Sequence, residues 1–196
     1  MLRRTSEILQ DFPNFVTQHT QQWQNENKPG HFGAWPAALR FNEALVTTQC
    51  FNERVRLINI IADNQIIARQ YTFAFGDTWF WELPSRMVGV KWEKFSLGPT
   101  GIVVMIDYAI KEGIRFLEGG IGRYDYKVRL GAKELNLWKY HFSKIARRTQ
   151  ARIHCLNCWK WMIGKGYHKL WYRRIAPRLP KLFWKPQWRS WCRLYY

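Results

Sequence analysis

The spacing of apolar and polar residues changes twice along the first hundred residues of the chain. Apolar side chains recur at helical intervals over residues 5–25 and 36–50, which predicts two amphipathic helices. Residues 55–61, 65–75 and 78–83 are instead rich in β-branched and aromatic side chains and are separated by Asp-Asn and Gly-Asp turns. The pattern therefore predicts two helices followed by a three-stranded antiparallel meander.

The stretch 96–131 combines a turn, a helix, a strand and a basic loop. Gly98, Pro99 and Gly101 predict a tight turn, the apolar spacing over 102–110 predicts a helix, and 114–118 predicts a short strand. A glycine-rich turn that opens a helix directs several backbone N–H groups and the positive end of the helix dipole toward one point. We expect a phosphate or pyrophosphate site there, and an ordinary strand-to-helix connection explains the glycines equally well.

The remaining third of the chain predicts one more strand and a helix. Residues 135–142 (LNLWKYHF) alternate apolar and polar side chains, which is typical of a strand. Ser143 is a plausible N-cap for the helix that follows. Apolar residues recur along one stripe of that helix, at Ile145, Thr149, Ile153, Leu156, Trp159 and Ile163.

Charge divides the chain into two unequal parts. All 14 acidic residues lie within residues 1–134, together with 16 of the 31 basic residues, so this part carries a net charge of +2 and residues 135–196 carry +15. We predict a globular domain over 1–142 and a basic, Trp-rich helical tail over 143–196. The 12 N-terminal residues lack the apolar run of a signal peptide, and no stretch of about 20 apolar residues occurs.

These features together predict a cytoplasmic protein, with peripheral attachment to the inner membrane face as an open alternative. The four cysteines do not form the pattern of a disulfide framework, which fits a reducing compartment. His154, Cys155 and Cys158 lack the second close ligand pair that a zinc site requires. We expect no metal site.

The order of these elements resembles that of a GNAT-type acyltransferase domain, and several residues narrow the resemblance. The motif residues are Ser96-x-Gly98, Ile106-x-x-Ala109-Ile110-x-x-Gly113, Glu118, Gly122-x-x-x-Tyr126-Lys127 and Gly131. Their spacing resembles the signature of the cellulose-biosynthesis-type acetyltransferases, a GNAT-like family related to the FemAB transferases. The resemblance implies an α+β fold in which helices flank a mixed central sheet. Members typically carry two such domains in tandem, and this chain resembles the C-terminal one. A stand-alone remnant, half of a split pair with a partner GNAT half, and a partial gene product are the alternatives.

The resemblance also implies a donor and a set of binding residues. The donor is acetyl-CoA or another acyl-CoA, with its pyrophosphate on the N–H groups of residues 98–102. The expected binding residues are Ser96, Gly98, Thr100, Gly101, Ile102, Arg123 and Lys127. Arg123 and Lys127, with Arg129, form a basic cluster that suits donor phosphates or an anionic acceptor, while a solvated basic loop is the simpler alternative.

Acyl transfer from a thioester also needs a base for the acceptor and an acid for the leaving thiolate. In GNAT enzymes the acid is a tyrosine that follows the fifth strand of the family's sheet. The resemblance therefore implies Tyr124 or Tyr126 for this role. Candidates for the base are Glu118 and Asp125, with Glu82 as a third. An ion pair between Glu118 and a nearby basic residue, and a core position for Tyr126, are the structural alternatives.

The leading hypothesis is therefore an acyl-CoA-dependent N- or O-acyltransferase that modifies a cell-envelope saccharide, an amino sugar or a precursor. A catalytically silent GNAT-like binding module of a polysaccharide biosynthesis or export assembly is the alternative. The tail favours an anionic membrane surface because it combines basic residues with tryptophans. Binding of nucleic acid through the tail is a less favoured alternative, and packing of the tail on a missing partner domain is a third.

Overall fold

The computed structural model describes residues 4–26, 30–33, 37–138, 140, 142, 146–175 and 178–180. The chain forms two compact units, Met1–Glu134 and Leu135–Tyr196. The helices of the first unit are α1 (Thr5–Asn25), α2 (Ala38–Phe51), α3 (Val90–Glu93), α4 (Leu97–Lys111) and α5 (Asp125–Arg129). Its strands are β1 (Val55–Ala62), β2 (Gln65–Phe75), β3 (Thr78–Arg86) and β4 (Phe116–Glu118). The second unit contains α6 (Arg147–Met162) and a π-helical segment, Ile163–Ile175.

The four strands form one mixed sheet in the order β1-β2-β3-β4. The first three pair antiparallel, as the predicted meander requires, whereas β4 lies parallel to β3 because α4 connects them as a crossover. The predicted α+β architecture, with helices on both faces of a mixed sheet, is confirmed.

Successive apolar side chains of each strand point to opposite faces of the sheet, so buried clusters form on both faces. Helices α1 and α2 cover one face of the sheet, which we call the α1/α2 face, where Phe12, Phe15, Val46, Tyr71 and Leu83 belong to one buried cluster. Helix α4 covers the opposite face, the α4 face. The buried residues there are Ile58, Trp79, Ile102, Met105 and Ala109.

A buried ion pair fixes α1 on the sheet. Arg69 of β2 donates from Nε and Nη2 to the two carboxylate oxygens of Asp11 on α1, at 3.1 and 3.0 Å. Burial alone raises the pKa of Asp11, but hydrogen bonds from Arg69, Asn59 and Asn14 together lower it below its ordinary value. The pair therefore sets the position of α1 over the strands that carry the candidate site.

The register of β2 and β3 shifts at one point. Tyr71 pairs with Leu83 and Thr72 pairs with Trp81, so Glu82 is an extra residue on β3. Such a β-bulge interrupts the ladder and redirects the side chains beside it. We assign Glu82 to the α1/α2 face, because its charge acts on Tyr71, whose side chain lies in the core of that face.

Two predictions about individual elements are wrong. The turn at Gly98, Pro99 and Gly101 is the first part of α4, because a proline fits the first helical turn, where no N–H partner is needed. The strand over 135–142 does not form among the described residues of that range, where the large apolar side chains are exposed and no strand pairs with them. Helix α6 forms, but none of its described residues is buried, so its apolar stripe faces no core within the described part of the chain. Pro36 and Ser143 lie outside the described residues.

None of the described helices is both long and apolar enough to cross a lipid bilayer.

Candidate functional site

An opening lies where β3 and β4 separate. The two strands pair only from Thr78–Phe116 to Phe80–Glu118, and β3 then continues to Arg86 while the chain after β4 turns at Gly119 and Gly120. The edge of β3 beyond Phe80 is therefore not covered by β4. A strand edge of this kind presents backbone N–H and C=O groups that are not used in the sheet.

Four residues, which we call the Lys127 cluster, lie on one side of this opening: Trp81, Tyr124, Tyr126 and Lys127. The Lys127 Nζ donates to the carbonyl oxygen of Gly119 at 2.5 Å and lies 4.9 Å from the ring centroid of Tyr124 and 5.8 Å from that of Trp81. Burial lowers the pKa of Lys127, and the charge of Glu118 partly opposes that shift. The cluster thus holds a partly desolvated ammonium group between aromatic rings.

Tyr126 is the more enclosed of the two tyrosines. Its ring packs edge-on against Trp81 at 6.4 Å and stacks on Tyr124 at 5.8 Å. Burial raises the pKa of Tyr126, and the neighbouring Tyr124 raises it further. The Tyr126 hydroxyl therefore keeps its proton at neutral pH and can donate it. Tyr124 is exposed.

Two carboxylates belong to the α1/α2 face of the opening. Glu118 is the partner of Phe80 across the β3–β4 pair, and its Oε1 accepts a hydrogen bond from the Gly120 N–H at 3.0 Å. Glu82 follows Phe80 by two residues at the bulge. Although the Glu82 residue is exposed as a whole, burial of its carboxyl group raises its pKa, which brings it toward the neutral range in which a carboxylate serves as a base.

Three consecutive residues of β2 beside the bulge carry buried polar atoms without a hydrogen-bond partner among the described residues. They are the Gln70 Nε2, the Tyr71 hydroxyl and the Thr72 Oγ1. The Gln70 Oε1, by contrast, accepts from the Trp81 Nε1 at 2.9 Å. Buried polar atoms are nearly always hydrogen-bonded in native proteins, so these three atoms are candidates for contact with a ligand, an ion or a water molecule.

The start of α4 offers fewer N–H groups than the sequence predicts. Ser96 has a left-handed backbone (φ 50°), and its carbonyl oxygen accepts from the Thr100 N–H at 3.2 Å. Pro99 has no N–H, so Leu97 and Gly98 supply the two N–H groups that precede the helical bonding pattern. Within the predicted phosphate site over 98–102, Gly98 therefore keeps a free N–H group at the helix start, and Leu97, outside that range, adds a second.

Gly101 and Ile102 have packing roles in α4. Ile102 is buried in the α4-face core, and a Cβ on Gly101 would collide with the Gln70 Nε2 and lie 3.3 Å from the Ile60 Cδ1. The absence of a side chain at Gly101 thus lets α4 approach β2 closely. The contacts Gly101–Gln70–Trp81 also connect the first turns of α4 with the Lys127 cluster.

The other predicted residues of the basic loop lie apart from these contacts. Arg123 pairs with Glu134 at 3.2 Å on the exposed surface, and Asp125 occupies the first turn of α5 with its side chain exposed. The hydrogen bonds and ring contacts observed in the Lys127 cluster include neither residue. The structure therefore brings Glu118, Tyr124, Tyr126 and Lys127 together, and leaves Arg123 and Asp125 outside the group.

Other features of the site were not visible in the sequence. The bulge at Glu82, the buried Tyr71 hydroxyl and the Trp81–Gln70 bond all depend on strand register, and the alternating pattern of β3 shows no sign of an extra residue. In the second unit, the Cys158 Sγ lies 3.6 Å from the His154 Nε2. Within the described ranges, no three His, Cys, Asp or Glu residues are grouped as metal ligands. Cys192 lies outside those ranges.

Comparison with known proteins identifies the class to which this fold and site belong. A family model described as an acetyltransferase (GNAT) domain matches residues 2–128, and the chain belongs to this family. The protein is an acyltransferase that uses acetyl-CoA or another acyl-CoA as its donor. The match includes both sheet faces, α4 and the Lys127 cluster. Neither the curated proteins nor the solved structures give a match.

The described residues fit such a donor on the α4 face. The N–H groups of Leu97 and Gly98 stand at the positive end of α4, and Lys127 supplies a cation beside the opening. Trp81 and Tyr126 add aromatic surface at the opening. These groups match the phosphates and the less polar arm of a coenzyme A thioester.

Proposed function

We propose that this acyltransferase transfers the acyl group directly, with Glu82 as the base and Tyr126 as the acid. The observation that carries the proposal is the opening between β3 and β4, which has a carboxyl group of raised pKa on one face and a protonated, enclosed tyrosine on the other. The bound donor supplies a thioester whose C–S bond breaks as the acceptor nitrogen or oxygen bonds to the acyl carbon.

The base acts on the acceptor from the α1/α2 face. Glu82 takes the proton of the incoming amine or hydroxyl at its carboxylate as the new bond forms, and its raised pKa makes it a stronger base than an ordinary carboxylate. Glu118 lies across from Phe80 on the same face and is the second candidate for this role, while Asp125 is the third.

The acid acts from the Lys127 cluster. Tyr126 holds its proton on Oη and delivers it to the sulfur that leaves, and Tyr124 is the alternative donor because it stacks on the same ring. Lys127 stabilises negative charge that develops at the opening, since its ammonium group is partly desolvated.

We assign binding of the donor phosphates to the start of α4. The Leu97 and Gly98 N–H groups hold the pyrophosphate, and the exposed Ser96 and Thr100 frame the same turn. Gly101 and Ile102 contribute by setting the helix position. Arg123 is an outlying cation that would have to leave Glu134 to reach a phosphate.

We further propose an acceptor and a location for the reaction. The resemblance of the Gly122-x-x-x-Tyr126-Lys127 motif to cellulose-biosynthesis-type, FemAB-related transferases supports a cell-envelope saccharide or amino sugar as acceptor. It also supports a partner GNAT half. The charge of +15 on residues 135–196 supports peripheral attachment to the anionic inner face of a membrane.

Donor binding and turnover test the proposal in two steps. Titration calorimetry with acetyl-CoA should show saturable heat, and Glu82→Gln should keep that affinity while turnover with an amine or hydroxyl acceptor falls about 10²-fold or more. Glu43→Gln, an exposed residue of α2, is the matched control and should behave as the wild type. No heat at millimolar acetyl-CoA would contradict the donor site, and full turnover by Glu82→Gln would contradict the base.

A further inference from the structure

Tyr71 is held rigidly in the core of the α1/α2 face. The residue is fully buried, and its ring centroid lies 5.6 Å from that of Phe12, 5.5 Å from Phe15 and 5.1 Å from Phe73. Two of these rings belong to α1 and one to β2. The position of the phenol is therefore fixed by packing from both the helix and the sheet.

The hydroxyl group of this tyrosine has no hydrogen-bond partner among the described residues. A phenylalanine would fill nearly the same volume among the surrounding aromatic rings without leaving a polar group unsatisfied. Packing alone therefore does not explain a tyrosine at this position. The hydroxyl can therefore form a hydrogen bond with a ligand that binds during the reaction or with a side chain that reorients.

Strand register places Glu82 next to the β3 partner of Tyr71. Leu83 pairs with Tyr71 across the β2–β3 ladder, and the extra residue of the bulge is Glu82. Both Tyr71 and Leu83 belong to the core of the α1/α2 face. Burial raises the pKa of Tyr71, and the charges of Glu82 and then Cys50 raise it further, which agrees with a carboxylate close to the phenol.

The other ionisable groups on this face are bonded elsewhere or, for Cys50, hold their proton. Arg69 is held by Asp11 at 3.0 Å and by the Gln18 Oε1 at 3.0 Å. His19 is held by the Pro84 carbonyl oxygen and by His31. From β4, Glu118 bonds to the Gly120 N–H, and burial raises the pKa of the Cys50 thiol on α2 to about 11. Tyr71 is thus the neighbour that can donate a hydrogen bond to Glu82 without breaking one observed in the described residues.

We propose that Tyr71 is a positioning residue for Glu82, its hydroxyl donating a hydrogen bond to the Glu82 carboxylate once the acceptor is bound. The acceptor occupies the exposed side of Glu82 and turns the carboxylate toward the buried phenol. The bond orients the carboxylate and stabilises its charged form. This inference rests on the proposed function, because it assigns Tyr71 through the base.

Tyr71→Phe tests the bond through the pH dependence of turnover. A hydrogen bond to the charged carboxylate lowers its pKa, so its loss should move the acidic limb of kcat upward by about one pH unit. Below that limb, kcat should fall about tenfold relative to the wild type. The limb of kcat/KM reports the free enzyme, in which Tyr71 makes no such bond, and should stay in place.

Stability provides the second readout of the same variant. The melting temperature should be equal to or above that of the wild type, because the substitution removes an unsatisfied polar group and keeps the packing. Tyr140→Phe, which changes an exposed tyrosine of the second unit, is the control. It should change neither the acidic limb of kcat or kcat/KM nor the melting temperature.

Two results would overturn the role of Tyr71. One is an acidic limb of the kcat–pH profile that lies at the same pH in Tyr71→Phe and in the wild type. The other is a lowered melting temperature, which would mean that the hydroxyl is bonded in the free protein. These outcomes are separate from failure of the proposed function, which full turnover by Glu82→Gln would show.

Discussion

Burial raises the pKa of both Glu82 and Tyr126, with different consequences for each side chain. The shift brings the carboxyl group of Glu82 toward neutrality, where it can accept a proton, and keeps the phenol of Tyr126 protonated. The folded protein holds the Glu82 proton more tightly than the unfolded chain does. The stabilisation that this tighter proton binding provides is therefore fully present below the pKa that Glu82 has in the unfolded chain. It is lost as the pH rises through the pKa that Glu82 has in the folded protein.

Tyr126→Phe separates the acid role from binding. We expect turnover to fall about 10- to 100-fold, because a general acid contributes on this order or more, while the affinity for acetyl-CoA changes little. Rapid measurement of thiol release reports the step directly. Tyr124→Phe is the matched variant because its ring stacks on the same residue and is exposed. Unchanged turnover in Tyr126→Phe, with a loss in Tyr124→Phe, would move the acid to Tyr124.

At the residue scale, the sequence identifies the candidates whose chemistry lies in a motif. Glu118, Tyr126 and Lys127 follow from the motif spacing, and the structure places them at one opening. Tyr71 could not be found in this way, because its importance lies in an unpaired hydroxyl and in a register shift that single-sequence alternation does not reveal.

At the element scale, α4 is positioned by close approach to the sheet. Gly101 lets the helix contact Gln70, whose side-chain oxygen is in turn bonded to Trp81 at 2.9 Å. The sequence predicts the helix but places its start too late, since a glycine and a proline in the first turn look like a loop. Packing against Ile60 and Gln70 makes a helical turn the better solution for those residues.

Gly101→Ala should disturb this contact. The added methyl group meets the Gln70 Nε2, and Gln70 is almost fully buried and held by Trp81, so it cannot move aside freely. We expect a loss of about 1–3 kcal/mol in the free energy of unfolding, which overpacking typically produces. Urea denaturation measures it.

Gly98→Ala is the control within the same helix. No atom lies within 4 Å of the Cβ that this substitution adds. The change should therefore be neutral or stabilising by up to about 1 kcal/mol, as expected from helix propensity. Equal stability in the two variants would mean that α4 can shift away from β2, and would contradict the role given to Gly101.

At the scale of the whole molecule, the distribution of charge is the dominant feature. The catalytic unit is nearly neutral, and residues 135–196 hold +15 with seven of the twelve tryptophans. In the second unit, none of the described residues of α6 is buried. We propose that this basic surface binds anionic lipid, each cation contributing about 1 kcal/mol near the surface.

Vesicle flotation tests that attachment in the full-length chain. Replacing Arg147, Arg148, Arg152 and Lys160 of α6 by glutamine should weaken flotation with anionic vesicles, and raising the salt should weaken it in the wild type. Replacing Arg40, Lys94, Lys111 and Lys133 of the first unit removes the same charge and should have a much smaller effect. Equal losses in the two variants would indicate attraction by net charge alone, and capture by single-stranded RNA without flotation would favour nucleic acid.

The sequence by itself determined the order of the elements, the antiparallel meander, the crossover helix and the basic tail, because hydrophobic periodicity, turn residues and charge are local properties. It also placed Tyr126 and Lys127 within a motif. Only the tertiary structure decided which groups meet. Strand register put Glu82 at a bulge beside Tyr71, and the separation of β3 from β4 brought the two faces of the sheet to one opening. These contacts join residues far apart in the chain, and their geometry arises from packing between elements.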